Sequence, residues 1–347
     1  MRVLVTGAAG LIGGEICARL LRRGHDVTAL VHTSPHVVGN DRRPVTGLTV
    51  VKGDVTRAGL GLAAVPTVDL VIHSAAVTAF DAAPAAYEAV NIAGTRHAIA
   101  VARAADAAFV HVSTAYVCGK STGLIAETAT ASDFVNGYEA SKAAGEALVH
   151  ASGLAFAIAR PSVVVGDSRS GTISRFENIY MIFKLIAENR VRTLPAAADA
   201  ALDLVPIDHV AGGIVAMVED FGRVAGRTLH LVGTDPTPLR SIAAAITAVE
   251  GLGAPRFVAP DAFDPQALPP VERRYHAAAA ALYTSYLLRS PRFDTANARD
   301  FGLVCSPTDR AWLDRLIGYC LEAGFVIPSK AGPHRRHAGN GPPLARA

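Results

Sequence analysis

A glycine-rich turn directly follows the first apolar run of this chain. The run is Val3-Leu4-Val5-Thr6, and the turn is Gly7-Ala8-Ala9-Gly10-Leu11-Ile12-Gly13. Glycines at these spacings permit a tight turn and a close approach between a strand and the helix after it. Such an order predicts the first unit of a parallel α/β sheet, with the turn at the carboxyl edge of the sheet.

Further apolar runs alternate with helical patterns through the first half of the chain. The runs lie at 27–31, 49–52, 70–73, 109–113 and 156–159, and the helical patterns lie at 11–23, 84–105 and 137–152. Runs that are apolar throughout are typical of strands buried on both faces. We therefore predict an α/β fold, a doubly wound parallel Rossmann sheet with a smaller C-terminal substrate-binding domain.

Composition excludes several classes of protein. With 33 basic and 30 acidic residues, the net charge is +3, which gives no strong field for nucleic acid. The four cysteines are widely separated, and the histidines lack the spacing of metal ligands, so we expect no metal site and a reducing cytoplasm. No apolar window reaches the roughly 20 residues of a membrane span, and the first strand leaves no room for a signal peptide.

The glycine turn predicts a dinucleotide site. Free backbone N–H groups at the start of the first helix can hold a pyrophosphate, although a tight turn without a ligand would show the same glycines. The second strand ends in Leu30-Val31-His32-Thr33-Ser34, without the carboxylate that binds the ribose of NAD. A 2′-phosphate could bind instead at His32, Thr33, Ser34, Arg42 and Arg43, so NADPH is predicted over NADH, unless the arginines simply solvate a loop.

Other residues at strand ends complete the predicted cofactor site. Asp54 could bind the adenine amino group or cap its own turn, and Ser74-Ala75-Ala76 permits close approach through small side chains. The predicted cofactor-binding residues are Gly7, Ala9, Gly10, Leu11, Ile12, Gly13, His32, Arg42, Asp54, Val55, Ser74, Ala75, Ala76, Lys142, Pro161 and Val163.

Tyr138 and Lys142 are four residues apart on a predicted helix, so they share one face. The Lys142 ammonium is expected to favour the ionised form of the phenol and make it a usable proton donor. Ser113-Thr114 ends the fifth strand, where an extended backbone would turn only one hydroxyl toward the site. A second Tyr-x-x-x-Lys at Tyr180 follows the sixth strand amid apolar residues, which favours packing in the substrate domain over catalysis.

These motifs, in this order, resemble those of the extended short-chain dehydrogenases/reductases over roughly residues 1–235. Further landmarks are Gly53-Asp54-Val55, His73-Ser74-Ala75-Ala76, Asn91-Ile92-Ala93-Gly94-Thr95 and Arg160-Pro161-Ser162-Val163-Val164-Val165-Gly166. The stretch His111–Gly119 is most similar to the acyl-thioester reductases with a male-sterility type NAD-binding domain, which include fatty acyl-CoA reductases and terminal reductase domains of carrier-protein assembly lines. In that pattern the catalytic hydroxyl falls on Thr114, while Cys118 stands where Tyr or Asn is usual.

The resemblance implies NADPH-dependent reduction of an acyl thioester, a small-molecule or carrier-bound acyl substrate, to an aldehyde or alcohol. Thr114 and Tyr138 would stabilise the oxyanion, Tyr138 would supply the proton, and Lys142 would bind the ribose. One alternative is an NADP-dependent reductase or dehydrogenase of a ketone, aldehyde or sugar nucleotide. The apolar stretch 176–186 favours a hydrophobic substrate, although a helix packed against the domain core would show the same pattern. Another is a non-catalytic NADP-binding redox sensor. A carrier protein is a candidate partner.

The regular strand-helix pattern loosens after residue 166. We predict an NADP-binding domain of residues 1–166 with 201–233, and a substrate-binding domain of residues 167–200 with 234–326. Asp208 is predicted to cap the helix that follows it. Residues 327–347 are rich in Pro, Gly, Arg and His and are predicted to be a disordered tail.

Overall fold

The computed structural model describes residues 1–329. Of the tail predicted for 327–347, residues 330–347 lie outside the described residues. No helix within residues 1–329 is long and apolar enough to cross a membrane.

The strands within this range are β1 Arg2–Thr6, β2 Asp26–Val31, β3 Thr49–Lys52, β4 Leu70–His73, β5 Ala108–Val112, β6 Leu124–Ile125, β7 Phe156–Pro161, β8 Val163–Val165, β9 Thr193–Pro195, β10 Ala201–Leu202, β11 Leu204–Pro206, β12 Thr228–Leu231, β13 Thr237–Pro238, β14 Arg256–Val258 and β15 Arg292–Phe293.

The α-helices within the same range are α1 Leu11–Arg22, α2 Pro84–Ala86, α3 Gly94–Ala104, α4 Gly137–His150, α5 Ile179–Ala187, α6 Ile207–Glu219, α7 Phe221–Val224, α8 Leu239–Thr247, α9 Pro270–Tyr275, α10 Ala281–Leu287, α11 Ala296–Asp300 and α12 Arg310–Glu322. Short 3₁₀ turns lie at Ala58–Gly61, Ala115–Cys118, Pro260–Ala262 and Pro265–Ala267, and π-helical turns lie at Tyr87–Ala93 and His276–Ala280.

Seven of these strands form one parallel sheet in the order β12-β7-β5-β4-β1-β2-β3. The strand order reverses between β1 and β4, so a crevice opens at their carboxyl ends, where ligands of doubly wound sheets bind. The register places Thr6 beside His73, and His73 beside His111. The predicted fold class, a doubly wound parallel sheet flanked by helices, is confirmed.

Apolar side chains cover both faces of the sheet. One face packs mainly against α1 and α6, and the other packs mainly against α3. A further buried cluster lies beyond the sheet, with contributions from α5, α8, α10 and α12. This cluster also contains Tyr116, Val165 and Leu204, which the sequence assigned to the cofactor domain, so the exact domain boundaries stay a prediction.

Two local predictions differ from the structure. The helical pattern at 84–105 is divided into α2, a π-helical turn and α3. Asp208 does not cap α6, because the helix begins at Ile207 with Pro206 in the cap position. The Asp208 carboxylate instead accepts hydrogen bonds from the backbone N–H of Ser168 at 2.7 Å and from its hydroxyl at 2.6 Å. Asp208 therefore joins the first turn of α6 to the loop that follows β8.

Candidate active site

The carboxyl ends of β1, β4, β5 and β7 border a cleft of about 390 Å³. Many residues predicted for the cofactor lie along it. They are Gly7, Gly10, Leu11, Ile12, Gly13, Ser74, Ala76, Pro161 and Val163. The predicted catalytic residues Thr114 and Tyr138 border the same cleft. The fold thus brings the glycine turn and the candidate hydroxyls to one opening.

The glycine turn forms a narrow cradle that larger residues would fill. Gly7 has a φ of +69°, and a Cβ there would lie 2.6 Å from the backbone nitrogen of Ala75. A Cβ on Gly13 would lie 2.2 Å from the carbonyl oxygen of Gly7. At the start of α1, Gly10 supplies no side-chain cap for the first backbone N–H groups, and the first helical residues Leu11, Ile12 and Gly13 border the cleft. This geometry fits the pyrophosphate of a dinucleotide.

One arginine that sequence reasoning did not assign lies over this turn. The Nη2 atom of Arg175 donates a hydrogen bond of 2.6 Å to the carbonyl oxygen of Ala9. Arg175 also lies 3.8 Å from Glu177, and both border the cleft. The sequence did not predict this contact, because Arg175 lies far from the glycine turn along the chain.

The residues predicted near the adenine ribose lie beyond the cleft lining. His32 Nε2 lies 3.8 Å from a carboxylate oxygen of Asp54. Asp54 also accepts hydrogen bonds from the hydroxyl and the backbone N–H of Thr56, which lower its pKa. Asp54 therefore caps its own turn, one of the two roles considered for it. Its contact with adenine stays a prediction.

Arg42, Val55 and Ala75 make protein contacts of their own. The Arg42 guanidinium lies over the rings of Phe176 and Tyr319, at 5.4 and 5.7 Å from their centroids. The backbone N–H of Ala75 donates to the hydroxyl of Thr6 at 3.3 Å, and the Val55 carbonyl lies 2.9 Å from a ring nitrogen of His97. Their contacts with a cofactor also stay predictions.

The helix α4 presents Tyr138 in its first turn. Asn136 caps α4 by accepting a hydrogen bond of 2.9 Å from the Glu139 N–H. Burial raises the pKa of the Tyr138 phenol to about 12, while hydrogen bonding with Thr114 acts in the opposite direction. At neutral pH the phenol is therefore protonated, as a proton donor must be.

Lys142 lies one turn further along α4, and its ammonium group contacts the sheet. Its Nζ donates a hydrogen bond of 2.7 Å to the carbonyl oxygen of Val112, at the end of β5. Burial lowers the pKa of this ammonium to about 8. Burial is the largest influence on the pKa of the Tyr138 phenol, and the expected effect of Lys142 on this phenol stays a prediction.

Ser113 and Thr114 both border the cleft, and which of the two hydroxyls serves the site stays a prediction. Thr114 has an extended backbone and caps the 3₁₀ turn at Ala115–Cys118 by accepting a hydrogen bond from the Tyr116 N–H. The Thr114 hydroxyl donates to the carbonyl of Pro161 at 3.4 Å. Ser113 Oγ is buried and has no hydrogen-bond partner within residues 1–329.

The second Tyr-x-x-x-Lys pair lies on α5. Tyr180 Oη accepts a hydrogen bond of 2.9 Å from the N–H of Gly166, and the ring borders the cleft. Lys184 forms an ion pair of 2.7 Å with Glu188, four residues along the chain. The ammonium of this second pair is therefore engaged on its own helix.

An aromatic wall faces the candidate catalytic residues. The Phe80 ring lies 5.9 Å from Tyr138 and 5.1 Å from Tyr286, and Tyr116 lies 4.9 Å from Tyr286. Behind them the Arg289 guanidinium lies between the rings of Tyr116 and Tyr286, at 5.2 and 4.6 Å from their centroids. Sequence reasoning missed this wall, because its members share no spacing along the chain.

Two buried histidines support the sheet edge beneath the cleft. The ring of His73 stacks on that of His111, with centroids 5.7 Å apart, and His73 Nδ1 lies 2.8 Å from the Thr6 hydroxyl. Burial lowers the pKa of His73 to about 3, so this ring is neutral at physiological pH. Within residues 1–329, no group of three or more potential metal ligands is assembled.

Asp203 is a buried carboxyl group beside the cleft, and it makes stability depend on pH. It accepts hydrogen bonds from Ser162 Oγ at 2.5 Å and from the Gly233 N–H at 2.8 Å, yet burial raises its pKa to about 7. The unfolded chain would lose this proton near pH 4. Between about pH 4 and pH 7 the folded state therefore binds the additional proton, and the contribution of Asp203 to stability falls as the pH rises.

We expect the substitution Asp203→Asn to remove this contribution. Between pH 5 and pH 7.5 the melting temperature of the wild type should fall by roughly 5 °C more than that of the variant. Thermal unfolding at both pH values measures the difference. The exposed Asp199→Asn substitution is the control, and equal pH dependence in all three proteins would contradict the assignment.

Comparisons with known proteins agree with this geometry. The male sterility protein family model matches residues 5–214. The chain is 28% identical to a 2-alkyl-3-oxoalkanoate reductase of Stenotrophomonas maltophilia, over 74% of this chain and 77% of the reductase. It is 28% identical to a linear gramicidin synthase of Brevibacillus parabrevis, over 70% of this chain but 5% of the synthase.

A solved structure extends the likeness in fold to nearly the whole chain. The terminal R domain from the myxalamid PKS-NRPS biosynthetic pathway superimposes with a TM-score of 0.80 at 23% identity. The match covers 95% of this chain and 92% of that domain. It therefore includes the segment after β12 as well as the parallel sheet.

Proposed function

This chain belongs to the male sterility protein family, and we propose that it is an NADPH-dependent reductase of an acyl thioester. It is an NAD(P)-dependent oxidoreductase of the extended short-chain dehydrogenase/reductase type, as its motifs predicted. The observation that carries the proposal is that Thr114 and Tyr138 border one cleft together with the aromatic rings of Phe80, Tyr116 and Tyr286, and that Tyr138 packs beside Phe80. A carbonyl oxygen at the two hydroxyls would place an apolar substituent of the substrate against these rings.

Different residues of the chain would perform the different steps of the reduction. A bound nicotinamide cofactor would supply the hydride. Thr114 and Tyr138 would donate hydrogen bonds to the carbonyl oxygen as negative charge develops on it, and Tyr138 would supply the proton. Lys142 would turn from the Val112 carbonyl toward the ribose. One hydride and one proton convert a thioester to an aldehyde and a free thiol, and a second pair gives the alcohol.

The surroundings of the cleft favour an acyl group over a sugar nucleotide. A diphosphate requires basic groups, and the guanidinium of Arg175 bonds the glycine turn instead. Similarity to part of the linear gramicidin synthase and to the myxalamid R domain also supports a thioester. The thioester would arrive as a CoA ester or on a carrier protein.

A second candidate is the reduction of a ketone with an apolar substituent. The similarity to a 2-alkyl-3-oxoalkanoate reductase favours it, and the same hydroxyls would serve. Thiol release separates the two reactions, because only a thioester contains the leaving sulfur.

The test is NADPH consumption with acyl-CoA esters, the matching aldehydes, 3-oxo acids and sugar nucleotides, with free thiol measured in parallel. Release of one thiol for each NADPH consumed, or for every two if the alcohol is formed, supports thioester reduction. Consumption with ketones alone would replace the proposal with the second candidate. NADPH binding with no turnover, including with carrier-bound acyl groups, would favour a sensor.

A substitution just after β2 tests the proposed preference for NADPH over NADH. The substitution His32→Asp places a carboxylate where NAD-preferring sheets have one. We expect NADPH affinity to fall roughly 10- to 100-fold through repulsion of the 2′-phosphate, while NADH affinity stays equal or rises. Titration of nicotinamide fluorescence measures both, with His36→Asp as the control in the same loop. Equal changes for the two cofactors would contradict a 2′-phosphate site here.

A further inference from the structure

A second cavity, of about 100 Å³, lies within the cluster beyond the sheet. Its lining comes largely from α5, α8 and α12, with further residues from short strands and α10, and is almost entirely apolar. Principal members are Ile182, Ile186, Leu239, Ile246, Leu313 and Ile317. The cavity is partly open, and an apolar recess of this kind requires an explanation.

Among residues 1–329, only one side chain borders both this cavity and the catalytic cleft. Tyr180 lines the two, and its hydroxyl is held at the Gly166 N–H. The strand β8 also extends from the cleft to the cavity, because Val163 and Val164 border the cleft and Val165 borders the cavity. The cavity therefore lies directly behind the wall of the cleft that contains Tyr180.

The chemistry of the lining selects an apolar occupant. Water in a buried cavity needs two to four polar partners, which aliphatic side chains cannot supply. An apolar cavity of comparable size can stay dry and bind a hydrocarbon. An acyl chain has such a hydrocarbon end, and its carbonyl end would lie at Thr114 and Tyr138.

We propose that this cavity binds the distal hydrocarbon end of the substrate and thereby sets the preferred chain length. The inference rests on the proposed function for the identity of the carbonyl end. Tyr180 is the side chain that a long chain passes, and α8 forms the far wall. Each methylene buried in the cavity should raise kcat/KM about fourfold until the space is filled.

Helix α8 offers a matched pair of substitutions for the test. Ala245 is fully buried and lines the cavity, whereas its neighbour Ala244 is exposed. The variant Ala245→Leu fills the cavity, and Ala244→Leu adds the same atoms on the outer face. We expect Ala245→Leu to lower kcat/KM for decanoyl-CoA at least tenfold while leaving butyryl-CoA nearly unchanged. Ala244→Leu should retain the wild-type profile.

A second variant covers the case in which Ala245→Leu fails to fold. Ile246→Val removes one methyl group from the lining and should move the optimum toward longer chains. An identical chain-length profile in the wild type and in each folded cavity variant would overturn the proposal.

A binding measurement separates this inference from the proposed function. Decanoate should displace a fluorescent fatty acid from the wild type and from Ala244→Leu, and at least tenfold more weakly from Ala245→Leu. If no thioester is reduced but this difference is seen, the cavity site stands and the thioester proposal fails. The opposite result is that thioesters are reduced with the same chain-length profile by every variant, and that decanoate binds all variants alike or none of them. In that case the cavity proposal fails while the thioester proposal stands.

Discussion

The substitution Tyr138→Phe is expected to reduce turnover by about two to four orders of magnitude while leaving cofactor affinity nearly unchanged. The phenol is protonated at neutral pH, since its pKa is raised to about 12, and it borders the cleft together with Thr114. Phenylalanine would keep the ring contact with Phe80 and remove only the hydroxyl. Single-turnover oxidation of NADPH and titration of NADPH binding measure the two effects separately.

Tyr180→Phe is the matched control for this prediction. Tyr180 is also a buried tyrosine that borders the cleft and precedes a lysine by four residues, but its hydroxyl only accepts a backbone hydrogen bond. Its loss should change turnover by less than about tenfold. An equal loss in both variants would show that the phenol of Tyr138 has no special role.

Two adjacent hydroxyls permit a second comparison. Thr114→Ala should lower kcat by about 10²-fold or more, as removal of an oxyanion donor does. Ser113→Ala removes a hydroxyl that has no hydrogen-bond partner within residues 1–329. If Ser113→Ala has the larger effect on kcat, the oxyanion donor is Ser113 and the assignment of Thr114 from the family pattern is wrong.

Local features of the site could be read from the sequence because they depend on short spacings. The glycine turn depends on Gly7 and Gly13, whose missing Cβ atoms allow the backbone to come close. The parallel sheet was indicated by apolar runs that alternate with helical patterns, and α4 presents Tyr138 in its first turn. The glycine turn depends on backbone sterics, and the position of Tyr138 depends on the period of the helix. Each of these patterns lies within a dozen residues of sequence.

Features that depend on tertiary packing could not be read in this way. The aromatic wall joins Phe80, Tyr116 and Tyr286, which lie on distant segments. The contact of Lys142 with Val112 depends on how deeply α4 packs against the sheet, which no spacing encodes. Asp208 has a residue type that suits a helix cap, but its helix begins one residue earlier. In each case, burial or a distant partner decided what the residue does.

Arg160→Met is expected to lower the free energy of unfolding by about 3–5 kcal/mol, the largest effect on stability predicted for this chain. The Arg160 guanidinium makes two parallel hydrogen bonds to Glu146, at 2.9 and 2.5 Å. Each side chain is 2% exposed. Arg160 also donates to the carbonyl oxygens of Glu127 and Ala129. Methionine would fill much of the volume but would leave the Glu146 carboxylate buried without its counter-ion.

The double variant Arg160→Met/Glu146→Leu distinguishes the charge from the packing. If an uncompensated carboxylate causes the loss, the second substitution should recover part of it, because replacing both partners of a buried pair by apolar groups is often nearly neutral. Arg310→Met is the control, since Arg310 and Asp314 form a half-exposed pair that should contribute little. Urea unfolding measures all three variants. Glu146 and Tyr138 lie on the same helix, α4. If Arg160→Met loses stability but keeps full turnover, the position of the Tyr138 phenol does not depend on this ion pair.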